Sequence, residues 1–357
     1  MKRELIIDGI AINDESDCYV VAEIGNNHQG DIKKARDLIT IAKECGAHAV
    51  KLQTRDNKAI FTKEKYNSPY DNPNSFGATY GAHREFLELT LEETAELQTY
   101  AKQIGITFFS TPWDVNSAHA LHALDVPLYK ISSSDLTNIP LIKQVAHFGK
   151  PMIISTGGGT LEDVKRAYEA IIPINKQLAI LQCTATYPCE YEDLNLRVIE
   201  TYRREFPDVV IGLSAHDSGI AMCPVAYLLG ARIVEKHFTL NRTWKGTDQA
   251  ASLEPTGLKK LVRDLRRTRI ALGDGIKKSL PGEVSTIQKL GKKLVAARDI
   301  EAGCVLQASD IAIKSPADGI PPYRIDQLIG KKLLNSLKED QDFSFNSLSP
   351  VNEEALS

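Results

Sequence analysis

The sequence predicts an α/β fold in which a (βα)8 barrel is followed by a small β-rich domain. Eight short β-branched or aliphatic runs recur between residues 19 and 238, and an amphipathic stretch follows most of them. Polar residues spaced two apart gather near the C-terminal ends of several runs, and the composition changes after residue 291. The alternation of strand and helix alone also fits a doubly wound open sheet, which is the alternative fold.

Length and composition indicate the class of protein. The 357 residues exceed the usual size of one domain but accommodate a barrel of about 250 residues and a smaller second unit. With 43% hydrophobic and 25% charged residues and a net charge of -3, the chain is typical of globular proteins and shows no electrostatic signature of nucleic-acid or membrane binding. We expect neither a signal peptide nor a membrane span. Six scattered cysteines without a CxxC pair indicate reduced thiols and a cytoplasmic location.

The eight runs are taken as strands because each is short, β-rich and bounded by turn residues. They are YVVAEIG (19–25), AVKLQT (49–54), ITFFSTP (106–112), LYKISSS (128–134), PMIISTGG (151–158), LAILQCT (178–184), VVIGLSAH (209–216) and RIVEKHF (232–238). Helix signals lie between them: Asp31 precedes an amphipathic stretch that stops at Gly46, and Thr160 is an N-cap candidate with Asp163 three residues later. Eight such units place the end of the barrel near Leu272.

Residues two apart on a strand share a face, so the polar pairs near the strand ends should point into the barrel together. These residues are Lys51 and Gln53, Lys130 and Ser132, Ser214 and His216, Glu235 and His237, joined by Glu23 and Ser155. Because such barrels carry their sites at the C-terminal face, we expect these side chains to line one site. The long segment 55–90 either covers that site and recognises a sugar or is a surface excursion.

His216 and His237 end the seventh and eighth strands, which are neighbours in a barrel, so their imidazoles can converge on one divalent ion. Glu235 and Asp217 could fix the imidazole tautomers by hydrogen bonds. Two nitrogen ligands are not enough to identify which metal binds. Inward lysines and the STGGG loop (155–159) predict an anion site that fits phosphate or carboxylate.

Eight motifs carry a resemblance that covers nearly the whole chain. They are AEIGNNHQGD, VKLQT, YKISSSD, STGGGT, CTATYP, GLSAHD, EKHFTL and GTDQAASLEP. In this order and spacing the chain resembles the sialic acid synthase family, the bacterial nonulosonate synthases, and the segment from LVAARDIEAGC onward resembles their antifreeze-like SAF domain. The expected organisation is a TIM barrel over residues 1–280, a linker over 281–291, a SAF domain over 292–350 and a tail over 351–357.

The resemblance implies that the enzyme condenses phosphoenolpyruvate (PEP) with an open-chain aldose, typically N-acetylmannosamine or a relative. The product would be a nine-carbon 3-deoxy-2-keto acid plus phosphate, formed with Mn²⁺ or a similar ion such as Mg²⁺ or Co²⁺. It also implies a domain-swapped homodimer. Two alternatives remain: a PEP-dependent synthase of another 3-deoxy sugar acid, from mannose or a phosphorylated aldose, or an inactive sugar-acid binding protein.

Roles carried over by motif follow from the resemblance. His216 and His237 would bind the metal, Glu23 and Asp135 would be the acid/base carboxylates, and either of these could activate water. The substrate-binding residues would be Lys51, Gln53, Lys130, Ser132, Ser155, Tyr187, Ser214 and Asp248.

Three positions depart from the family pattern. Asp135 stands where glutamate is more frequent, and Gln249 replaces the usual histidine near the sugar. Ser315 replaces an arginine that commonly contacts the N-acetyl group, so we expect a reduced preference for N-acetylated acceptors. The alternatives are a different acylamino hexose, a non-acetylated one, or recognition of the acceptor by Arg324 or Arg84 instead.

Overall fold

The computed structural model describes residues 3–349, and the chain divides into two compact units, residues 1–273 and 274–357. The predicted tail, 351–357, lies outside the described residues, as does residue 350. No helix in the described part of the chain combines the length and apolar character needed to cross a membrane. All six cysteines carry free thiols.

The first unit begins with a β-hairpin that the sequence analysis did not predict. Strands β1 (Glu4–Ile7) and β2 (Ile10–Asn13) pair antiparallel, and the turn between them has positive φ angles at Asp8 (49°) and Gly9 (80°). Leu5, Ile7 and Ile12 are buried in one cluster with inward-facing residues of the barrel strands. The hairpin therefore closes the N-terminal end of the barrel with apolar side chains.

Eight parallel strands form the barrel, and the predicted fold class is confirmed. They are β3 (Tyr19–Gly25), β4 (Ala49–Thr54), β5 (Thr107–Pro112), β6 (Tyr129–Ile131), β7 (Met152–Ser155), β8 (Leu178–Cys183), β9 (Val210–Ala215) and β10 (Ile233–His237). Their order is β5-β4-β3-β10-β9-β8-β7-β6, and the end strands β5 and β6 lie side by side without a ladder between them. Since β3 pairs with both β4 and β10, the sheet curls round on itself instead of forming the doubly wound alternative.

Helices lie between and after the strands of the first unit. They are α1 (Ile32–Glu44), α2 (Asn57–Ile60), α3 (Lys63–Asn67), α4 (Tyr80–Leu87), α5 (Leu91–Ile104), α6 (Val115–Ala123), α7 (Ile139–Ala146), α8 (Leu161–Ile171), α9 (Val198–Glu205), α10 (Met222–Leu228) and α11 (Pro255–Leu272). The predicted caps are confirmed: the Asp31 side chain accepts from the Lys33 and Lys34 amides, and Thr160 and Asp163 form a capping box. Helix α11 ends at Leu272, where the sequence placed the end of the barrel.

The inward-facing residues change character along the barrel. Near the N-terminal ends they are apolar, as with Tyr19, Phe109 and Ile233, which join the cluster that contains the hairpin. Near the C-terminal ends the same faces carry Glu23 and Lys51, which lie opposite each other in the β3–β4 register. The barrel therefore has a packed lower half and a polar upper half.

The second unit is small and β-rich. It contains helix α12 (Val284–Leu290) and the antiparallel pairs β11 (Lys293–Ala296) with β12 (Ile311–Lys314) and β13 (Lys332–Leu333) with β14 (Leu348–Ser349). Buried Leu294, Leu306, Leu328 and Phe343 belong to its separate core. Ser315 donates to the Leu290 carbonyl at 3.1 Å and accepts from Lys292 at 2.7 Å, so its hydroxyl is engaged within this unit.

Candidate active site

A cavity of about 300 Å³ opens among the C-terminal ends of the barrel strands. Its lining contains every predicted site residue except Asp135: Glu23, Lys51, Gln53, Lys130, Ser132, Ser155, Tyr187, Ser214, His216, His237 and Asp248. A larger neighbouring cavity of about 540 Å³ shares Trp113 and Ser134 with it but holds none of the lysines or histidines. The chemistry is therefore concentrated in the smaller cavity.

A cluster of two lysines and two glutamates forms the floor of this cavity. Lys51 Nζ lies 2.7 Å from Glu23 Oε2 and 3.7 Å from Glu235 Oε1, and Lys130 Nζ lies 3.6 Å from the same Glu235 oxygen. Lys130 also donates to Ser155 Oγ at 2.6 Å. All four charged side chains are buried, because each stands on the inner face of a different strand.

The cluster sets the protonation of its own members. Burial alone would lower the pKa of Lys51, but the negative charges of Glu23 and Glu235 have the larger combined effect and raise it. Burial, together with the charge of Lys51, lowers the pKa of Lys130. Burial alone would raise the pKa of Glu235, yet the two lysines hold it below its usual value, so this carboxylate is ionised. Two lysine side chains thus face the cavity in fixed positions.

His216 and His237 lie side by side, with ring centres 5.5 Å apart. His216 Nδ1 lies 2.8 Å from the Thr184 carbonyl, so it carries the proton and leaves the Nε2 lone pair free. Burial and the neighbouring His237 lower the pKa of His216 to about 4, which keeps its ring neutral. His237 Nδ1 is buried without a hydrogen-bond partner and lies 4.0 Å from Asp248 Oδ2.

These two imidazoles fit a divalent ion. An unpartnered buried nitrogen and a neutral ring with a fixed tautomer are the donors that such an ion requires. Among the described residues, no three His, Cys, Asp or Glu side chains come together as a metal site. An ion held here would have these two imidazoles as protein ligands, with its other positions open to water and substrate.

Asp135 lies in a single turn of 3-10 helix, Ser133–Asp135, outside the cavity lining. Its carboxylate accepts from Ser132 Oγ at 2.9 Å and from Asn138 Nδ2 at 3.0 Å. The side chain lines the neighbouring 540 Å³ cavity instead. The structure thus places Glu23 inside the cavity and Asp135 behind Ser132.

Tyr187 and Asp248 stand on loops at the mouth. The Tyr187 ring packs against His216, with ring centres 4.1 Å apart, while half of the side chain stays exposed. Asp248 Oδ1 accepts from Thr247 Oγ1 at 3.0 Å. Gln249, by contrast, is buried outside the cavity, where it donates to the Asn27 carbonyl at 3.0 Å and accepts from Thr239. Gln249 therefore ties two loops together and is not itself part of the cavity wall.

The aromatic side chains of segment 55–90 do not line the cavity. Tyr70, Phe76, Tyr80 and Phe86 pack on one another and on His83. The alternative in which this segment recognises a sugar therefore has no support from these four rings. The segment instead contributes two arginines to the lining, Arg55 and Arg84.

Several lining residues escaped the sequence analysis. They are Arg55, Thr111, Trp113, Ser133, Ser134, Cys183, Ala185 and Thr247, whereas Glu235 belongs to the predicted polar set and Arg84 was an open alternative for contact with the acceptor. Thr111 and Cys183 carry the same period-two signal as the predicted residues, since they lie two positions after Phe109 and Leu181. The arginines come from irregular loop structure and a short helix, for which no strand periodicity exists.

Comparisons with known proteins identify the family of this chain. Residues 38–277 match the NeuB family and residues 293–346 match the SAF domain. The chain belongs to the NeuB family. The predicted resemblance and the predicted enzyme class are confirmed.

Individual relatives cover most of this NeuB-family chain. It is 43% identical over 324 residues to the N-acetylneuraminate-9-phosphate synthase of Mus musculus, with 90% of both proteins covered. It is 35% identical over 326 residues to the N,N'-diacetyllegionaminic acid synthase of Campylobacter jejuni, covering 90% of this chain and 97% of that one. The crystal structure of the N-acetylneuraminic acid (sialic acid) synthetase from Leptospira borgpetersenii, in complex with citrate, has a TM-score of 0.70 at 30% identity over 80% of this chain and 96% of that chain.

Proposed function

We propose that this enzyme condenses PEP with the open-chain form of an N-acylated hexosamine such as N-acetylmannosamine. The products are a nine-carbon 3-deoxy-2-keto sugar acid and inorganic phosphate. The observation that carries the proposal is the buried cluster of Lys51, Glu23, Glu235 and Lys130 beside two imidazoles at one end of the barrel. The relatives named above, which are synthases of neuraminic and legionaminic acids, support it.

The two lysines bind the anionic donor. PEP carries a phosphate and a carboxylate, and Lys51 and Lys130 present ammonium groups whose positions are fixed by Glu23, Glu235 and Ser155. Ser132 and Ser155 add hydroxyl groups to the same wall. Because these donors are already oriented in a buried site, little reorganisation accompanies binding.

His216 and His237 would hold the metal ion, which we propose is Mn²⁺ or a similar divalent ion such as Mg²⁺ or Co²⁺. When bound, the ion polarises the aldehyde carbonyl and stabilises the alkoxide that forms on attack. Thr184 orients His216 for this task through the carbonyl that accepts its Nδ1 proton. Tyr187, packed on the His216 ring, and Asp248, 4.0 Å from His237, would contact the sugar.

Glu23 is the carboxylate to which we assign the proton transfer. C3 of PEP attacks C1 of the aldehyde, which forms the carbon–carbon bond and leaves positive charge on C2. Water adds to C2 and gives one proton to Glu23, which passes it to the alkoxide oxygen derived from the aldehyde. The tetrahedral intermediate then breaks the bond between C2 and the phosphate oxygen, and its hydroxyl proton leaves with the phosphate as the keto group forms. Gln53 Nε2 at 2.7 Å and Lys51 Nζ at 2.7 Å hold the two Glu23 oxygens in the cavity.

A homodimer is proposed as the assembly. Val284, Ile287 and Leu290 lie three residues apart on α12, each more than half exposed, and Ile276 and Leu280 before the helix are exposed too. A second copy of this chain is the occupant that the family resemblance implies for such an apolar stretch. We expect light scattering to give the mass of two 39.4 kDa chains, and we expect Ile287→Glu to shift the population toward monomers. Lys289→Glu, on the same helix, is the matched control, and a wild-type monomer at micromolar concentration contradicts the proposal.

A cytoplasmic location is also proposed. The six free cysteines, five of them buried, support it because such thiols persist in a reducing compartment.

The experiment that tests the function is release of phosphate from PEP in the presence of Mn²⁺ and a panel of aldoses. The panel contains N-acetylmannosamine, its 6-phosphate, mannose, a diacetamido-trideoxyhexose and arabinose 5-phosphate. We expect aldose-dependent release that stops when EDTA removes the ion, and mass spectrometry of the product gives its carbon number. No release with any acceptor would favour the binding-only alternative.

A further inference from the structure

Among the described residues, Arg84 is the one lysine or arginine lining the active-site cavity that has no carboxylate within ion-pair distance, although its charge also acts on Glu88. Lys51 pairs with Glu23, Lys130 faces Glu235, and Arg55 lies 3.0 Å from Glu88 Oε1. No carboxylate within the described residues 3–349 comes within ion-pair distance of Arg84, although its side chain lines the cavity. A half-buried guanidinium in a binding site that has no direct ion pair favours an anionic ligand.

The Arg84 guanidinium is held in place by a neutral partner. Its Nε and Nη2 donate to the Tyr80 hydroxyl at 3.3 and 3.2 Å. The Tyr80 ring is fixed by edge-on contacts with Phe61 and Tyr70, at 5.0 and 5.2 Å between ring centres. Tyr80 therefore orients the guanidinium without neutralising it, which leaves its other N–H groups for a ligand.

More positive charge surrounds Arg84. Lys65 Nζ lies 4.3 Å from the centre of the Tyr80 ring, and Arg84 lies 5.4 Å from the same centre. Burial lowers the pKa of Arg55, and the charge of Arg84 lowers it further, so the two guanidinium groups are close enough to repel each other. Glu88 offsets part of this repulsion, and the anion of a ligand near both groups would relieve more of it.

The donor substrate does not need this group. In the proposed function, the phosphate and carboxylate of PEP bind to Lys51 and Lys130 on the strands. Arg84 instead belongs to α4, in the long segment after β4. An unmodified hexosamine carries no anion. We propose that Arg84 binds a phosphate monoester on the terminal carbon of the acceptor, and that Arg84 makes the enzyme selective for a phosphorylated hexosamine.

This inference rests on the proposed function and specifies its acceptor. Condensation adds three carbons of PEP to C1 of the hexosamine, so a phosphate on C6 of the acceptor becomes a phosphate on C9 of the product. The mouse relative, 43% identical, is named for a 9-phosphate product. A guanidinium suits the role because it can donate two parallel hydrogen bonds to one phosphate group.

The test compares kcat/KM for N-acetylmannosamine 6-phosphate and N-acetylmannosamine in the wild-type enzyme and in Arg84→Met. We expect the wild type to prefer the phosphorylated acceptor by about 100-fold, since charge-assisted hydrogen bonds to one phosphate are strong. In Arg84→Met this preference should fall by about 30-fold or more, and in Arg84→Lys it should be intermediate. The KM for PEP should change by less than about threefold in Arg84→Met. Arg166→Met removes an exposed arginine on α8 that pairs with Asp163, and this control should keep the wild-type preference.

The outcomes separate the two proposals. Turnover of both acceptors by the wild type without a preference for the phosphorylated one overturns the role of Arg84 and leaves the condensation intact. Equal loss for both acceptors in Arg84→Met, or a large rise in the KM for PEP, also overturns it, because Arg84 would then serve the fold or the donor. No turnover with either acceptor contradicts the proposed function, and the inference falls with it.

Discussion

His237→Ala is expected to lower kcat/KM for PEP-dependent condensation by at least about 1,000-fold while the barrel still folds. The loss corresponds to about 4 kcal/mol of transition-state stabilisation, within the range that a Lewis-acid ion supplies. His237 Nδ1 has no hydrogen-bond partner, so its removal leaves no other buried group without a partner. Folding should therefore survive a change that removes one of two proposed ligands.

The measurement needs two readouts. Phosphate release gives the activity, and electron paramagnetic resonance of Mn²⁺ titrated into the protein gives the affinity for the ion without any turnover. We expect Mn²⁺ affinity to fall in His237→Ala and in His216→Ala, with the circular dichroism spectrum unchanged. His147→Ala, which removes an exposed histidine at the end of α7, should keep both activity and affinity. Near wild-type activity in His237→Ala would show that the metal assignment is wrong.

The barrel and most of the cavity could be predicted because both follow from strand periodicity. Every predicted strand overlaps an observed one, and the inner face switches from apolar to polar residues along the strand, as Tyr19 and Glu23 show on β3. Such a pattern is local in sequence, since residues two apart share a face. The positions of Lys51 and His237 therefore needed no knowledge of the tertiary structure.

The remaining features depend on contacts between distant segments. Asp135 lies close to Ser132 in the chain, but a turn of 3-10 helix takes its carboxylate out of the cavity. Gln249 contacts Asn27, more than 200 residues away, and the motif gave no sign that its side chain would point there. Arg84 enters the cavity from a loop-bound helix whose path is set by aromatic packing. Irregular segments of this kind have no period from which a side-chain direction can be read.

Lys236→Met is expected to cost about 3–5 kcal/mol of unfolding free energy, because it removes one partner of a buried ion pair. Lys236 precedes His237 on β10 but points to the opposite face, where its Nζ lies 2.9 Å from Asp217 Oδ1 and donates to the Asp217 carbonyl at 2.6 Å. Both side chains are buried, at 2% and 1% exposure, and Asp217 Oδ2 already has no hydrogen-bond partner. Without the ammonium group, the Asp217 carboxylate would be a buried charge with no cation.

The pair also connects the two proposed metal ligands. Asp217 follows His216 directly, so the Lys236–Asp217 contact ties the residues after β9 to the strand that carries His237. Loosening this tie should weaken Mn²⁺ binding even in protein that remains folded at low temperature. The double substitution Lys236→Met with Asp217→Leu should recover most of the lost stability in urea unfolding, since no unpaired charge remains. It should not restore Mn²⁺ affinity if the Lys236–Asp217 contact sets the spacing of the two histidines. A loss below about 1 kcal/mol in Lys236→Met, the range of exposed pairs, would contradict this account of the buried pair.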